Sequence, residues 1–196
     1  MSQTMVAGSV TASAMFGGPL TIEAVARGLS TIGRWNGRTV LDRVGQRFSV
    51  LQHSLLCGAL LEGVPVHQLY ALLHDIEEVV VGDTPAHFKS EEQSELGREV
   101  RRQMFQALKV PVVTPDSVIW KAVKHADHMA RSAEAYVLLN PRELANDVYA
   151  EYLDYDVVDQ VWGLLDIPPR TAIDLYVDRV EQLFGDTQVK RLRSLV

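Results

Sequence analysis

Apolar residues recur every three to four positions along most of this chain, and almost nowhere at every second position. That periodicity admits helices and excludes a half-buried sheet. In the stretch from Val66 to Val81, Leu69, Leu72, Leu73, Ile76, Val79 and Val80 fall on one side of a helix turning about 100° per residue. The nearest approach to a strand, Pro111-Val112-Val113-Thr114, is too short to found a sheet. Capping and breaking residues divide the chain. Thr21 opens a helix to about Ile32, and a second runs from Ser49 to about Leu61. The Val66 helix follows Pro65 and stops at Gly82-Asp83-Thr84-Pro85. A charged amphipathic helix spans Glu91 to Leu108. Asp116 caps a long one reaching about Leu139, where Asn140-Pro141 stops it. Two more cover about Asp156 to Leu165 and Pro169 to Phe184. The expectation is an all-α bundle of about six or seven helices in one domain over residues 21–190. An uncharged arm, residues 1–20, precedes it.

Composition removes several function classes. Of 196 residues 47% are hydrophobic, too many for a disordered chain. One cysteine excludes an internal disulfide framework and a four-cysteine zinc ribbon. A net charge of -6 argues against a nucleic-acid polymer held by bulk charge. The stretch from Met1 to Ile22 carries no charge, but it lacks the basic start of a signal peptide and is interrupted by Gly17, Gly18 and Pro19. No run reaches the roughly 18–20 apolar residues of a membrane span. A soluble, cytoplasmic protein with no membrane partner is expected.

Chemistry concentrates on the polar side of the Val66–Val81 helix, where His74, Asp75 and Glu78 lie together and Ala71 leaves space for an ion. Alone, such a group is ordinarily a solvated face. His53 lies among Val50, Leu56, Cys57 and Leu60 on the preceding helix, as a core histidine would. Asp127 is spaced for an i,i+4 ion pair with Arg131, and Asp83 can be turn punctuation after Gly82. Taken together, however, two imidazoles and two carboxylates suit a divalent ion of the manganese-to-zinc series. Four protein donors leave positions for water and a substrate oxygen, and Glu78 one turn away can hold or move a proton. Between Gly33 and Arg47 the chain reads as a basic loop with Arg34, Arg38, Arg43 and Arg47 against Asp42. Phosphate favours such donors, and Trp35 offers a stacking face.

The segments Gly33-Arg34-Trp35-Asn36-Gly37, Phe48-Ser49-Val50-Leu51-Gln52-His53-Ser54-Leu55, Leu72-Leu73-His74-Asp75-Ile76-Glu77-Glu78, Gly82-Asp83-Thr84-Pro85 with Lys89, and Lys124-His125-Ala126-Asp127 resemble the HD-domain phosphohydrolases. The likeness covers roughly residues 21–140. It is nearest to the small nucleotidase branch that includes 5'-deoxynucleotidases and phage dATP triphosphohydrolases. On that resemblance His53, His74, Asp75 and Asp127 bind the catalytic metal: cobalt, manganese or zinc, with magnesium allowed. Glu78 and Asp83 position or protonate the reacting groups. Lys89 holds a phosphate, Arg34 binds phosphate or base, Trp35 walls the base or sugar pocket, and Arg47 joins them in binding substrate.

The expected activity is removal of the phosphate chain from deoxynucleotides, with dATP as the leading substrate, in a bacterial or phage-infected cytoplasm. A broad 5'-deoxynucleotidase acting on dNMPs is the alternative. A non-catalytic nucleotide-binding module and a hydrolase of another phosphate ester are the readings from other classes. The resemblance also implies a homo-oligomer, dimer or hexamer, and the apolar set Ile173, Leu175, Tyr176, Val180 and Leu183 suits either core or interface. Three features depart from the pattern or extend it. Gln52 stands where many relatives have Glu. Glu77 is an added carboxylate able to recruit a second ion. The histidines that mark the two-metal cyclic-dinucleotide branch are not recognisable, since His87, His125 and His128 sit at other spacings. Cys57 faces inward with no basic partner evident.

Overall fold

A computed structural model of the chain describes residues 18–37, 47–84, 88–139 and 150–194. Residues 1–17 of the expected arm, Arg38, Arg43, Pro85 and His87 lie outside the described residues. The architecture is all-α. The helices are α1 (Ile22–Thr31), α2 (Val50–Leu60), α3 (Pro65–Leu73), α4 (Glu78–Val81), α5 (Glu91–Ala107), α6 (Val118–Leu138), α7 (Tyr155–Leu165), α8 (Pro169–Gly185) and α9 (Thr187–Arg193). Among the described residues the only extended pairing is a single antiparallel bridge between Gly33 and Ser49.

Side-chain caps set most helix starts, because the first backbone N–H groups of a helix have no partner inside it. Thr21 accepts from the Ala24 N–H, as its sequence position indicates. Ser49 and Gln52 form a reciprocal capping box at α2, and Gln52 Nε2 donates to the Leu164 carbonyl. Gln52 is thus a structural residue that ties α2 to the end of α7. The cap of α6 is Ser117, not Asp116: the Ser117 hydroxyl accepts from the Trp120 N–H. α9, which sequence periodicity does not pick out, starts where Asp186 accepts from Gln188 and Val189.

α2 is the central helix. Its buried residues include Val50, Leu51, Gln52, His53, Ser54, Leu56, Cys57 and Gly58, so it has no solvent stripe. It packs against α1, α3, α6, α7 and α8. At its crossing with α3 the backbones approach closely: a Cβ on Gly58 would lie 2.7 Å from Leu72 Cδ2 and 2.9 Å from Cγ. Gly58→Ala therefore forces the two helices apart or Leu72 off its rotamer. The expected cost, after the helix-propensity gain of alanine, is about 1–2 kcal/mol, read as a lower midpoint in urea unfolding. An unchanged midpoint would contradict this packing.

The single helix expected from Val66 to Val81 is two helices joined by a tightened turn. Ile76 N–H bonds to Leu73 O, Glu78 N–H to Asp75 O and Val80 N–H to Glu77 O, each spanning three residues instead of four. Three residues per turn rotates everything beyond Leu73 relative to an ideal helix. His74, Glu77 and Glu78 are consequently buried, while Val80, placed on the apolar side by periodicity, is exposed. In α8 Leu175 is exposed, and Ile173, Tyr176, Val180 and Leu183 belong to the core.

Candidate metal centre

The tightened turn brings His74 and Asp75 against His53 from α2 and Asp127 from the middle of α6. His53 Nε2 lies 3.3 Å from His74 Nε2, 3.5 Å from Asp75 Oδ2 and 3.4 Å from Asp127 Oδ1. His74 Nε2 lies 3.1 Å from Asp75 Oδ2 and 3.9 Å from Asp127 Oδ1. Residues from three separate helical segments thus aim two nitrogens and two oxygens at one point. Donors that share one ion at bond lengths near 2.1 Å stand about 3.0–3.5 Å apart, so these spacings fit a single divalent cation.

The outer nitrogens explain why the Nε2 atoms point inward. His53 Nδ1–H donates to Glu134 Oε1 at 2.5 Å, and His74 Nδ1–H donates to the Ala71 carbonyl at 2.8 Å. Each bond holds the ring and leaves the Nε2 lone pair for a ligand. Ala71 thereby contributes its carbonyl as well as its small size.

The electrostatics of the cluster favour positive charge at this point. Burial opposes protonation of His74, but the facing Asp75 and Asp127 carboxylates overcome it and raise its pKa to about 10. His53 is raised as well, against burial and the nearby Arg34 charge. Burial would raise Asp75 and Asp127; His74 holds Asp75 low, and Lys124 does most to hold Asp127 low. The two imidazoles stand 3.3 Å apart; Asp127 favours the charged form of both, Asp75 that of His74, and Cys57 and Glu134 that of His53.

Asp127 makes the expected ion pair with Arg131 and also faces the two histidines. Its Oδ1 faces the imidazoles, while Oδ2 accepts from Arg131 NH2 at 2.9 Å and from Lys124 Nζ at 2.8 Å. Cys57 is an additional donor: a buried His53–Cys57–His74 group, with ligand atoms all within 4.8 Å of one another, could hold a metal ion. The Cys57 sulfur stands 3.6 Å from His53 Nε2 and 4.0 Å from Nδ1. Near-equal distances place it beside the ring instead of along the Nε2 lone pair, so the carboxylates are the better-directed partners. The thiol does have a basic neighbour after all, one helical turn back at His53.

The remaining expected residues divide by environment. Glu78 is buried, and its Oε2 has no hydrogen-bond partner among the described residues. Burial above all, then the charges of Asp75 and Asp83, hold its carboxyl well above the usual range. Lys89 Nζ stands 3.7 Å from Glu78 Oε1. Asp83 accepts from the Trp35 backbone N–H at 2.7 Å and from Arg34 NH1 at 3.2 Å. Arg34 is buried and also donates through Nε to Glu134 Oε2 at 3.1 Å. Arg34, expected on substrate, is thus the strut between Asp83 and Glu134.

Trp35 is only 8% exposed, which leaves little ring to wall a pocket. Trp35, Asn36 and Gly37 all have positive φ, of 57°, 55° and 74°. Left-handed backbone at two non-glycine residues costs energy, and the Asp83 carboxylate on the Trp35 N–H helps hold it. Arg47 is exposed and lines a polar cleft of about 280 Å³ with Gly33, Asn36, Gly37, Asp83 and Thr84. Glu77, expected to be able to recruit a second ion, accepts instead from Arg101 through both oxygens, one of these bonds being Arg101 Nε to Oε2 at 2.8 Å.

Sequence reasoning did not name Glu134. It follows Asp127 by seven residues, two turns along the same stripe of α6 that carries Lys124 and Arg131, and that spacing is the signal that marks it.

No family model matches the chain. An uncharacterized protein of Rhodobacter capsulatus is 34% identical over 124 residues, which is 59% of this chain and 61% of that protein. Among the described residues no helix is long and apolar enough to cross a membrane.

Proposed function

We propose that this protein is a metal-dependent phosphohydrolase of the HD type that removes phosphate groups from deoxynucleotides. The reading rests on one observation above the rest: two imidazole nitrogens and two carboxylate oxygens converge at 3.1–3.9 Å with the outer side of each ring already bonded. A divalent transition ion held there supplies charge to polarise the phosphoryl oxygen and lowers the pKa of the attacking water.

The chain's own groups do the rest. His53, His74, Asp75 and Asp127 hold the ion, with Glu134 and the Ala71 carbonyl fixing the two rings. Glu78, buried and with its carboxyl pKa raised, gives its proton to the oxygen that leaves with the nucleoside. Lys89 beside it attracts a phosphate oxygen and keeps the acid within reach of the substrate. Asp83 and Arg34 act at one remove by bracing the left-handed turn at Trp35.

By resemblance dATP is the leading substrate, cleaved to deoxyadenosine and triphosphate. The burial of Trp35 favours a second reading, a broad 5'-deoxynucleotidase, because a covered indole discriminates poorly between bases. Assay of the purified protein on a panel of dNMPs and dNTPs with Mn²⁺, Co²⁺, Zn²⁺ and Mg²⁺ tests both. Release of phosphate or triphosphate that depends on a transition ion and is lost with a chelator is the expected result. Turnover of dATP well above the other nucleotides favours the first form, and even turnover across dNMPs the second. Absence of release from every combination overturns the proposal, and nucleotide binding without turnover would assign the chain to a non-catalytic binding module.

A further inference from the structure

We infer that Lys124 and Arg131 are the side chains that grip the phosphate groups of the substrate, and that they give the site its preference for esters carrying more than one phosphate. The inference rests on the phosphohydrolase reading for its substrate, but its evidence is separate. Almost every group around the converging donors is shut away from solvent: His53, His74, Glu134, Arg34, Glu78 and Asp83 are all buried. Lys124 and Arg131 are the exceptions on α6, with side chains 40% and 28% exposed. Both touch the same atom, Asp127 Oδ2, whose twin oxygen faces the two imidazoles. They are therefore the solvent-facing cations bonded to the donor cluster itself.

Their charge exceeds what Asp127 can balance. One carboxylate oxygen accepts from two cations, and an ion on the other oxygen takes up part of the same negative charge. Other basic groups nearby are already committed. Arg34 lies between Glu134 and Asp83, and Arg101 is bound to Glu77. Lys89, near Glu78 and partly exposed, adds a third cation. A monophosphate brings about two negative charges, fewer than these cations together with the ion can accept, and each further phosphoryl group brings about one more. Such a local positive rim also lets a chain of net charge -6 draw in a polyanion. The spacing of Lys124, Asp127 and Arg131 places all three on one stripe of α6, so one rigid helix sets the grip and the ligand together.

The test uses the Mn²⁺- or Co²⁺-loaded full chain. Rates with dAMP, dADP and dATP are measured beside calorimetric binding of orthophosphate and tripolyphosphate. For the unaltered protein kcat/KM rises at least tenfold from mono- to triphosphate. Lys124→Gln and Arg131→Gln each lower kcat/KM for dATP by about 10–100-fold, chiefly through KM, as loss of a charge-assisted hydrogen bond does. The ratio between dATP and dAMP shrinks toward one, and tripolyphosphate affinity falls in parallel while one ion per chain is retained. Lys124→Arg and Arg131→Lys restore most of the preference. An unchanged ratio in the glutamine variants, or loss of the ion from them, assigns both side chains to holding Asp127 alone and overturns the inference. Tripolyphosphate binding that is lost in the variants, in a protein that hydrolyses no ester, would overturn the proposed reaction and leave this inference standing.

Discussion

Glu78→Gln lowers kcat by about 10²–10⁴-fold while the protein keeps its bound ion, because the substitution removes a proton donor and no ligand. The carboxyl is 3% exposed, and Oε2 has no hydrogen-bond partner among the described residues. That oxygen is the one we assign to the substrate's leaving atom, since no group in the described chain bonds it. Burial first, then the Asp75 and Asp83 charges, raise its pKa, against the weaker pull of Arg34 and Lys89. The acid form therefore persists to higher pH than in an ordinary glutamate. Turnover that needs this form is full below the raised pKa and falls as pH climbs through it. A kcat–pH profile of the native protein accordingly shows an alkaline limb, and the limb disappears in Glu78→Gln. Metal content by mass spectrometry separates this from loss of the ion. A variant with kcat within a few-fold of native would remove Glu78 from the chemistry. Folding stability is expected to hold or rise, since a buried carboxyl with one oxygen left without a hydrogen bond is a cost to the fold.

His74→Ala has the opposite signature, a protein that folds but no longer retains the ion. Removing the partner of a ligating histidine costs about 10–100-fold in metal affinity, and that is the loss expected for Glu134→Gln, which weakens the bond holding His53 Nδ1. Removing the ligand itself costs more, so Co²⁺ affinity in a chelator competition falls by well over about 100-fold in His74→Ala. Turnover falls with it and is partly recovered at high metal concentration in Glu134→Gln. Equal affinity in all three proteins would mean that the ion, if bound, sits elsewhere. Cys57→Ser adds a control on geometry. The sulfur lies beside the His53 ring, so its replacement leaves affinity close to native.

Periodicity and punctuation were enough for the fold class, because each helix is specified locally. Thr21, Ser49 and Ser90 cap helices from their own sequence neighbours, and proline and glycine mark the ends. The boundaries slipped where a neighbouring residue competed for the same task, as Ser117 did with Asp116. The helix through His74 was misjudged for another reason. A 3.6-residue period cannot anticipate three i→i+3 bonds between Leu73 and Val80, and these are what bury His74 and Glu78.

The residue types in the cluster were evident from the chain: two histidines and two aspartates on the segments that periodicity marks as helices. Their meeting was not a local property. Asp127 Oδ1 reaches His53, 74 positions back along the chain, through the packing of α6 on α2, and Glu134 reaches the same ring from seven residues further on. Only that packing separates the arginines: Arg34 is bound inside by two carboxylates, while Arg131 pairs with Asp127 and stays partly exposed. Local hydrogen bonding and hydrophobic period act over a few residues and so are written along the chain. The charge environment of a side chain depends on which helices close over it, and that exists only once the bundle has formed.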